Sequence, residues 1–323
     1  MSVVLSGGWH DGSAAGKAKP HGPGISRMAF IGSQGAGQEM EAASNSGFAV
    51  SSDGTRIAWQ RHGEGEPVIL FIPTWNLVDS RVVRHQVDFF GARTTVITYD
   101  PRGAGVSDRP DHGYDFPMHA ADALAVLDAA SVGRASIITA SRGLGSTVRL
   151  ASAHPGRVER IVAVGPYVPF EPSTDDRFWT IDQVAEPGDL FSAHGWRTDW
   201  PAFARRFMEN VFSEPDSEAT IRELVDIALG ASPEILITQE RELNWAAIPP
   251  LLRALTTPTL VIHGQEDHAV SVAQAQQIVD AMQDARLEII PGGGHRPDIR
   301  TPERVNELMA EFLIESPIQK PDY

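Results

Sequence analysis

Short, wholly apolar runs separated by longer mixed stretches make up most of the chain from Gly47 onward. Val68–Ile72 and Thr95–Tyr99 carry four to five consecutive apolar or β-branched positions, a pattern that suits strands buried on both faces. Ala135–Thr139, Val158–Val164, Thr259–His263 and Leu287–Ile290 continue the series. Helical patterns fall between them, near Arg81–Phe90, Met118–Ala130 and Leu144–His154, and Pro302–Leu313 reads as a final amphipathic helix. Ahead of the series, Phe48–Val50 and Arg56–Gln60 flank Asp53-Gly54, a hairpin turn signal. Eight strands alternating with helical crossovers predict an α/β fold with a mostly parallel sheet covered on both faces.

The alternation breaks between about Tyr167 and Leu255, where no buried strand is evident and large aromatics are frequent, among them Phe178, Trp179, Phe191, Trp196, Trp200, Phe203, Phe207, Phe212 and Trp245. About 90 residues is too long for a simple loop. A helical cap, residues 167–255, is expected after strand six and over the C-terminal edge of the sheet, where open α/β folds bind ligands. Most of these aromatics are expected to form the cap's own core. The core domain would then comprise 47–166 and 256–316. Residues 1–46 are rich in Gly, Ser and Ala and read as a disordered extension, with 317–323 a short tail.

Composition narrows the class of partner. The chain has 323 residues, 42% hydrophobic, and a formal net charge of −15 with no Lys/Arg block. That balance argues against nucleic acid or an anionic membrane as the main partner. No run of 18 apolar residues predicts a membrane span, and the N-terminus lacks a basic start and a signal-length apolar segment. With no cysteine, disulfides and thiolate metal sites are excluded. A cytoplasmic monomer or homodimer acting on a small molecule is the expectation, without metal or cofactor, since no His-x-x-x-His occurs.

Candidate chemistry starts at Ser141. Ser-x-Gly occurs at Ser6, Ser33, Ser52, Ser131 and Ser141. Of these, only Ser141 ends a predicted strand and precedes a predicted helix, where a sharp turn lifts a serine out of the sheet. A helix N-cap is its structural alternative. A serine nucleophile needs a base, a charge partner and an oxyanion site. The last two strands end in Gly264-Gln265-Glu266-Asp267-His268 and Pro291-Gly292-Gly293-Gly294-His295. In a parallel sheet these loops emerge on the same edge as Ser141, so an acid and an imidazole converge on it. Glu266 is a rival acid, and Asp267 has an alternative role in capping the helix that follows Ser271.

With the order Ser141…Asp267…His295, the turn Tyr99-Asp100-Pro101-Arg102-Gly103-Ala104-Gly105-Val106-Ser107-Asp108-Arg109-Pro110, the Gly264-x-x-Asp267 motif and Gly294-His295, residues 47–315 resemble the α/β-hydrolase superfamily, in its capped esterase-like and lactonase-like branch. The resemblance implies a Ser141–His295–Asp267 triad that cleaves a small or medium ester, lactone or thioester through an acyl-enzyme. Carbon–carbon hydrolysis and cofactor-free perhydrolysis use the same triad, and a non-catalytic ligand sensor is the alternative from another class. Relatives place His-Gly-x after the third strand, whereas here Pro73-Thr74-Trp75-Asn76 stands there. Pro73 has no N–H. The oxyanion donors expected by register are therefore Trp75 N–H, or less strongly Thr74 N–H, together with Arg142 N–H. The Trp75 indole is read as pocket wall or core. The Arg142 guanidinium is read as a salt-bridge partner under the cap or, less strongly, a ligand for a substrate carboxylate. Arg102 is expected to bond carbonyls and is assigned no catalytic role.

Overall fold

A computed structural model describes residues 45–170, 181 and 189–315. The antiparallel pair β1 (Ser46–Val50) and β2 (Arg56–His62) opens the fold, turning at Asp53-Gly54 as the sequence predicts. There follow β3 (Val68–Ile72), α1 (Arg84–Gly91), β4 (Thr95–Tyr99), α2 (Phe116–Ala129), β5 (Ala135–Ala140), α3 (Gly143–Ala153) and β6 (Val158–Val164). Among the described residues, five helices then precede the next strand: α4 (Ala193–Thr198), α5 (Trp200–Val211), α6 (Glu218–Ala228), α7 (Pro233–Glu242) and α8 (Ile248–Ala254). The chain closes with β7 (Thr259–Gly264), α9 (Val272–Ala281), β8 (Ala285–Ile290), α10 (Pro297–Arg300) and α11 (Pro302–Ala310).

The eight strands form one sheet in the order β1-β2-β4-β3-β5-β6-β7-β8, parallel from β4 to β8. Side chains alternate across a strand, so each continuous apolar run supplies two cores. Leu70, Ile97, Ile137, Ile161 and Val261 face one side, against α2, α3, α8 and α9. Ile69, Val96, Ile138, Val162 and Leu260 face the other, against α1 and α11. Both faces are thereby covered, which is why these strands lack a polar stripe.

The helical insertion after β6 builds a third core, shared with Trp75, Leu77, Val78 and Val82 of the segment after β3. Trp196 and Phe203 are fully buried in it, with Phe212, Met208, Leu224 and Leu236. The expected aromatic core is present, with one exception. Trp245 belongs to the main core, edge-on to Phe116 at 4.7 Å and Tyr167 at 5.1 Å. Phe178 and Trp179 lie outside the described residues, as do 1–44 and 317–323, so the expectations for those segments are not addressed. The first strand starts at Ser46, inside the segment read as tail, because the Asn45 carbonyl accepts from Arg61 N–H at 2.8 Å and extends the pairing. Among the described residues no helix is long and apolar enough to cross a membrane.

Candidate active site

Ser141 occupies the turn between β5 and α3 with φ +48, a left-handed conformation that costs a non-glycine residue about 1–2 kcal/mol. Positive φ alone does not mark a site: Ser131, with φ +57, merely terminates α2. At Ser141 the surroundings over-determine the turn. Its N–H donates to Val164 O on β6 at 2.9 Å, and its carbonyl accepts from Tyr167 N–H at 3.2 Å. A Cβ on Gly143 would lie 2.3 Å from Thr139 Oγ1 and 2.6 Å from Pro73 O, so only glycine lets the helix start this close to the strand. The side chain is half-buried and no cap bond from it to α3 is formed, which removes the N-cap alternative.

The acid and imidazole loops follow β7 and β8, as the parallel order requires. His295 Nδ1 lies 2.7 Å from Asp267 Oδ2, with the carboxylate fully buried. Asp267 Oδ1 accepts Ala269 N–H at 2.8 Å and Val270 N–H at 2.9 Å, while Ser271 caps α9. Burial works to raise the Asp267 carboxyl, but the His295 bond, the neighbouring imidazoles and the Val270 N–H outweigh it and leave it below the ordinary carboxylate range. Glu266, the rival acid, is exposed, and it is Asp267 that bonds His295. The two loops are pressed together at Gly264, where a Cβ would sit 2.0 Å from Gly294 O.

Two residues the sequence did not single out complete this corner. His263 is fully buried at the end of β7. Its Nε2 is 3.0 Å from Val270 O and 3.3 Å from Asp267 Oδ2. A carbonyl only accepts, so Nε2 carries the proton, and burial pushes this imidazole below its ordinary value and keeps it neutral. The i,i+4 spacing of His263 and Asp267 was visible, but nothing local tells that the chain folds back between them. Glu214, on the segment after α5, accepts Gly294 N–H at 2.8 Å through Oε1 and so holds the residue before His295.

Ser141 and His295 line one cavity of about 680 Å³ between the C-terminal edge of the sheet and the helical insertion. Thr74, Trp75 and Arg142 line it as well. The Trp75 indole meets both expectations at once. It is buried among Trp196, Phe203 and Phe207 at 5.1–6.2 Å between ring centroids, and it forms cavity wall. The Arg142 guanidinium pairs with both carboxylate oxygens of Glu240 on α7, NH2 to Oε2 at 2.7 Å. It also lies 5.0 Å from the Trp75 ring and 5.4 Å from that of Trp245. The acid under the insertion is 98 residues from its partner, beyond any local sequence signal.

Arg102 differs from expectation. It donates to one carbonyl, Gly113 O at 2.8 Å, but chiefly holds carboxylates: Asp122 at 2.6 and 2.7 Å and Asp53 at 2.8 Å. A fully buried guanidinium needs neutralising charge, which carbonyls do not supply. Among the described residues no group of three or more His, Asp or Glu side chains is arranged to hold a metal ion.

Residues 69–308 match the model of the alpha/beta hydrolase family, and the chain belongs to that family. It is 28% identical to a putative non-heme chloroperoxidase of Synechocystis over 80% of this chain and 94% of that protein. It is also 28% identical to a 2-hydroxymuconate semialdehyde hydrolase of a Pseudomonas species, over 79% of this chain and 86% of the other. A solved N-acyl homoserine lactone degrading enzyme superposes with a TM-score of 0.68 at 26% identity, covering 82% of this chain and 99% of its own.

Proposed function

We propose that the protein is a serine hydrolase that cleaves a carboxylic ester, lactone or thioester of a small to medium organic molecule, with Ser141, His295 and Asp267 as its triad. The observation that carries this reading is the 2.7 Å Asp267–His295 contact on a cavity that Ser141 also lines, with Ser141 held at positive φ. Asp267 fixes the His295 tautomer with the proton on Nδ1, leaving Nε2 as the base. Nε2 takes the proton from Ser141 Oγ as Oγ attacks the carbonyl carbon, and returns it to the leaving oxygen or sulfur. Water then attacks the acyl-enzyme with the same base, releasing the acid and restoring Ser141. Arg142 N–H and Trp75 N–H are the donors assigned to the oxyanion, with Thr74 N–H as the alternative to Trp75. The helical insertion acts as a cap over the cavity.

Ser141→Ala is expected to keep the fold and to abolish turnover of p-nitrophenyl butyrate and labelling by a fluorophosphonate probe. Full activity in that variant, or failure of the folded wild type to label, overturns the reading. The lack of labelling would favour the ligand sensor. The names of two relatives, a chloroperoxidase and a semialdehyde hydrolase, keep perhydrolysis and carbon–carbon cleavage as the second reading. Product analysis with a meta-cleavage diketone, with peroxide and acetate, and with a simple ester separates the three.

A further inference from the structure

Two guanidiniums reach the wall of the 680 Å³ cavity, and each is already neutralised from behind. Arg142 is bound by both oxygens of Glu240, their side chains 10% and 2% exposed. Arg296 is bound by both oxygens of Asp298, Nε to Oδ1 at 2.8 Å and NH2 to Oδ2 at 2.7 Å, with 7% and 5% exposed. No carboxylate lines the cavity among the described residues. The buried wall is apolar, built by Trp75, Val211, Phe212, Leu224, Met208 and Val78. The exposed lining residues include the uncharged Asn210, Gln277 and Ser271 and, at the rim after β7, the imidazole of His268.

From this arrangement we infer that the cavity selects an electrically neutral substrate, with an apolar acyl or alcohol arm, and rejects one that carries a carboxylate on the buried arm. The inference rests on the hydrolase reading for the identity of the cavity as substrate site. A substrate carboxylate can engage Arg142 only by displacing Glu240, and Arg296 only by displacing Asp298. Either exchange leaves a nearly inaccessible carboxylate without its cation, a cost larger than the pair it replaces returns. Without exchange, a new anion on the buried arm enters beside an existing carboxylate, in a wall of low polarity. A matched apolar arm pays neither cost and gains by burial against the aromatics.

The test compares two esters of equal length, p-nitrophenyl valerate and the mono-p-nitrophenyl ester of glutaric acid. Wild-type kcat/KM is expected to favour the valerate at least about tenfold. Glu240→Gln is expected to narrow that ratio by raising the value for the glutarate, because Arg142 then loses the carboxylate that opposes a second anion. Should that variant not fold, the wild-type ratio still decides. A parallel measurement is independent of turnover: calorimetric binding of valeranilide and of glutaranilic acid to Ser141→Ala. The neutral anilide is expected to bind and the acid to bind at least about tenfold more weakly. Equal or tighter binding of the acid, binding of neither, or a wild-type preference for the glutarate ester overturns the inference. The hydrolase reading fails separately, by absence of fluorophosphonate labelling and of any ester turnover.

Discussion

His263 and His295 meet on one oxygen of one carboxylate: Asp267 Oδ2 is 2.7 Å from His295 Nδ1 and 3.3 Å from His263 Nε2. His263 Nε2 donates its proton to Val270 O at 3.0 Å, so its influence on the nearby acid is electrostatic. This places His263 behind the acid, as a positioning residue expected to act on His295 chiefly through Asp267. Replacing it with Leu is expected to lower kcat with little change in KM. The acid limb of the kcat profile should move to higher pH, since Asp267 loses a neighbouring imidazole whose electrostatic effect favours its charged form. His263→Gln, which can place an amide N–H where Nε2 stood, should restore part of kcat. Steady-state kinetics across pH checks all three, and an unchanged kcat for the Leu variant refutes the role.

Asp267→Asn keeps the size of the side chain but reverses the tautomer it selects at His295. Activity is expected to fall by about three to four orders of magnitude while the protein stays folded. Ester turnover with circular dichroism checks this. A loss under tenfold would point to Glu266 or another acid as the partner.

The contact between the two loops gives a backbone test. In Gly264→Ala the new Cβ would meet Gly294 O at 2.0 Å and Gly293 O at 2.3 Å, main-chain atoms that cannot rotate aside. Overpacking of this kind costs about 1–3 kcal/mol, and here the strain falls on the segment that carries His295. Urea denaturation should show the loss, and kcat should drop more than tenfold. Gly133→Ala is the control, with nothing within 4 Å of its Cβ.

Acid sensitivity follows from His119. Burial lowers this imidazole to about 4, and its neutral Nε2 accepts from Gln239 Nε2 at 3.2 Å. Gln239 in turn donates to Asn76 Oδ1 at 3.1 Å, so α2, α7 and the turn after β3 are tied together. Asp122, Asp115 and Arg102 also face the ring, and their effects are smaller than burial. The unfolded chain takes up the proton at the ordinary value of about 6.5, before the folded one does. Stability from this group is thus whole above pH 6.5 and is lost as pH falls toward 4. Thermal midpoints measured from pH 7 to 4 should decline, and His119→Gln should flatten that slope. It should not abolish it, because burial lowers His62 and His263 as well.

Arg102 and Asp122 are both fully buried and bonded through two N–H groups at 2.6 and 2.7 Å. Asp122→Ala is expected to cost on the order of 3–5 kcal/mol by leaving Arg102 with Asp53 alone. The double variant Arg102→Met with Asp122→Leu should be less destabilised than that single one. Chemical denaturation of the three proteins decides it.

Strand positions were legible because residues buried on both faces must be apolar without interruption, and Val68–Ile72, Thr95–Tyr99 and Val158–Val164 end where the sequence pattern ends. The convergence of Ser141, Asp267 and His295 on one sheet edge was legible for a related reason: every loop after a parallel strand leaves on the same side. Side-chain partners across large separations were not. Glu240, Glu214 and His263 take their roles from the path of the insertion and of one tight loop, which hydrophobic periodicity does not encode. Trp245 shows the same limit, since an aromatic pattern cannot say which of two adjoining cores a ring will enter.

Trp75 belongs to two bodies at once. Its backbone is the turn after β3, and its indole is gripped by Trp196, Phe203 and Phe207 of the insertion. The helices over the cavity and the turn beneath them are therefore mechanically linked through a single residue, like a crank on a shaft. Any shift of α4 or α5 would therefore be felt at the turn that carries Trp75. The packing of the insertion helices and the shape of the cavity wall at Trp75 are thus one setting.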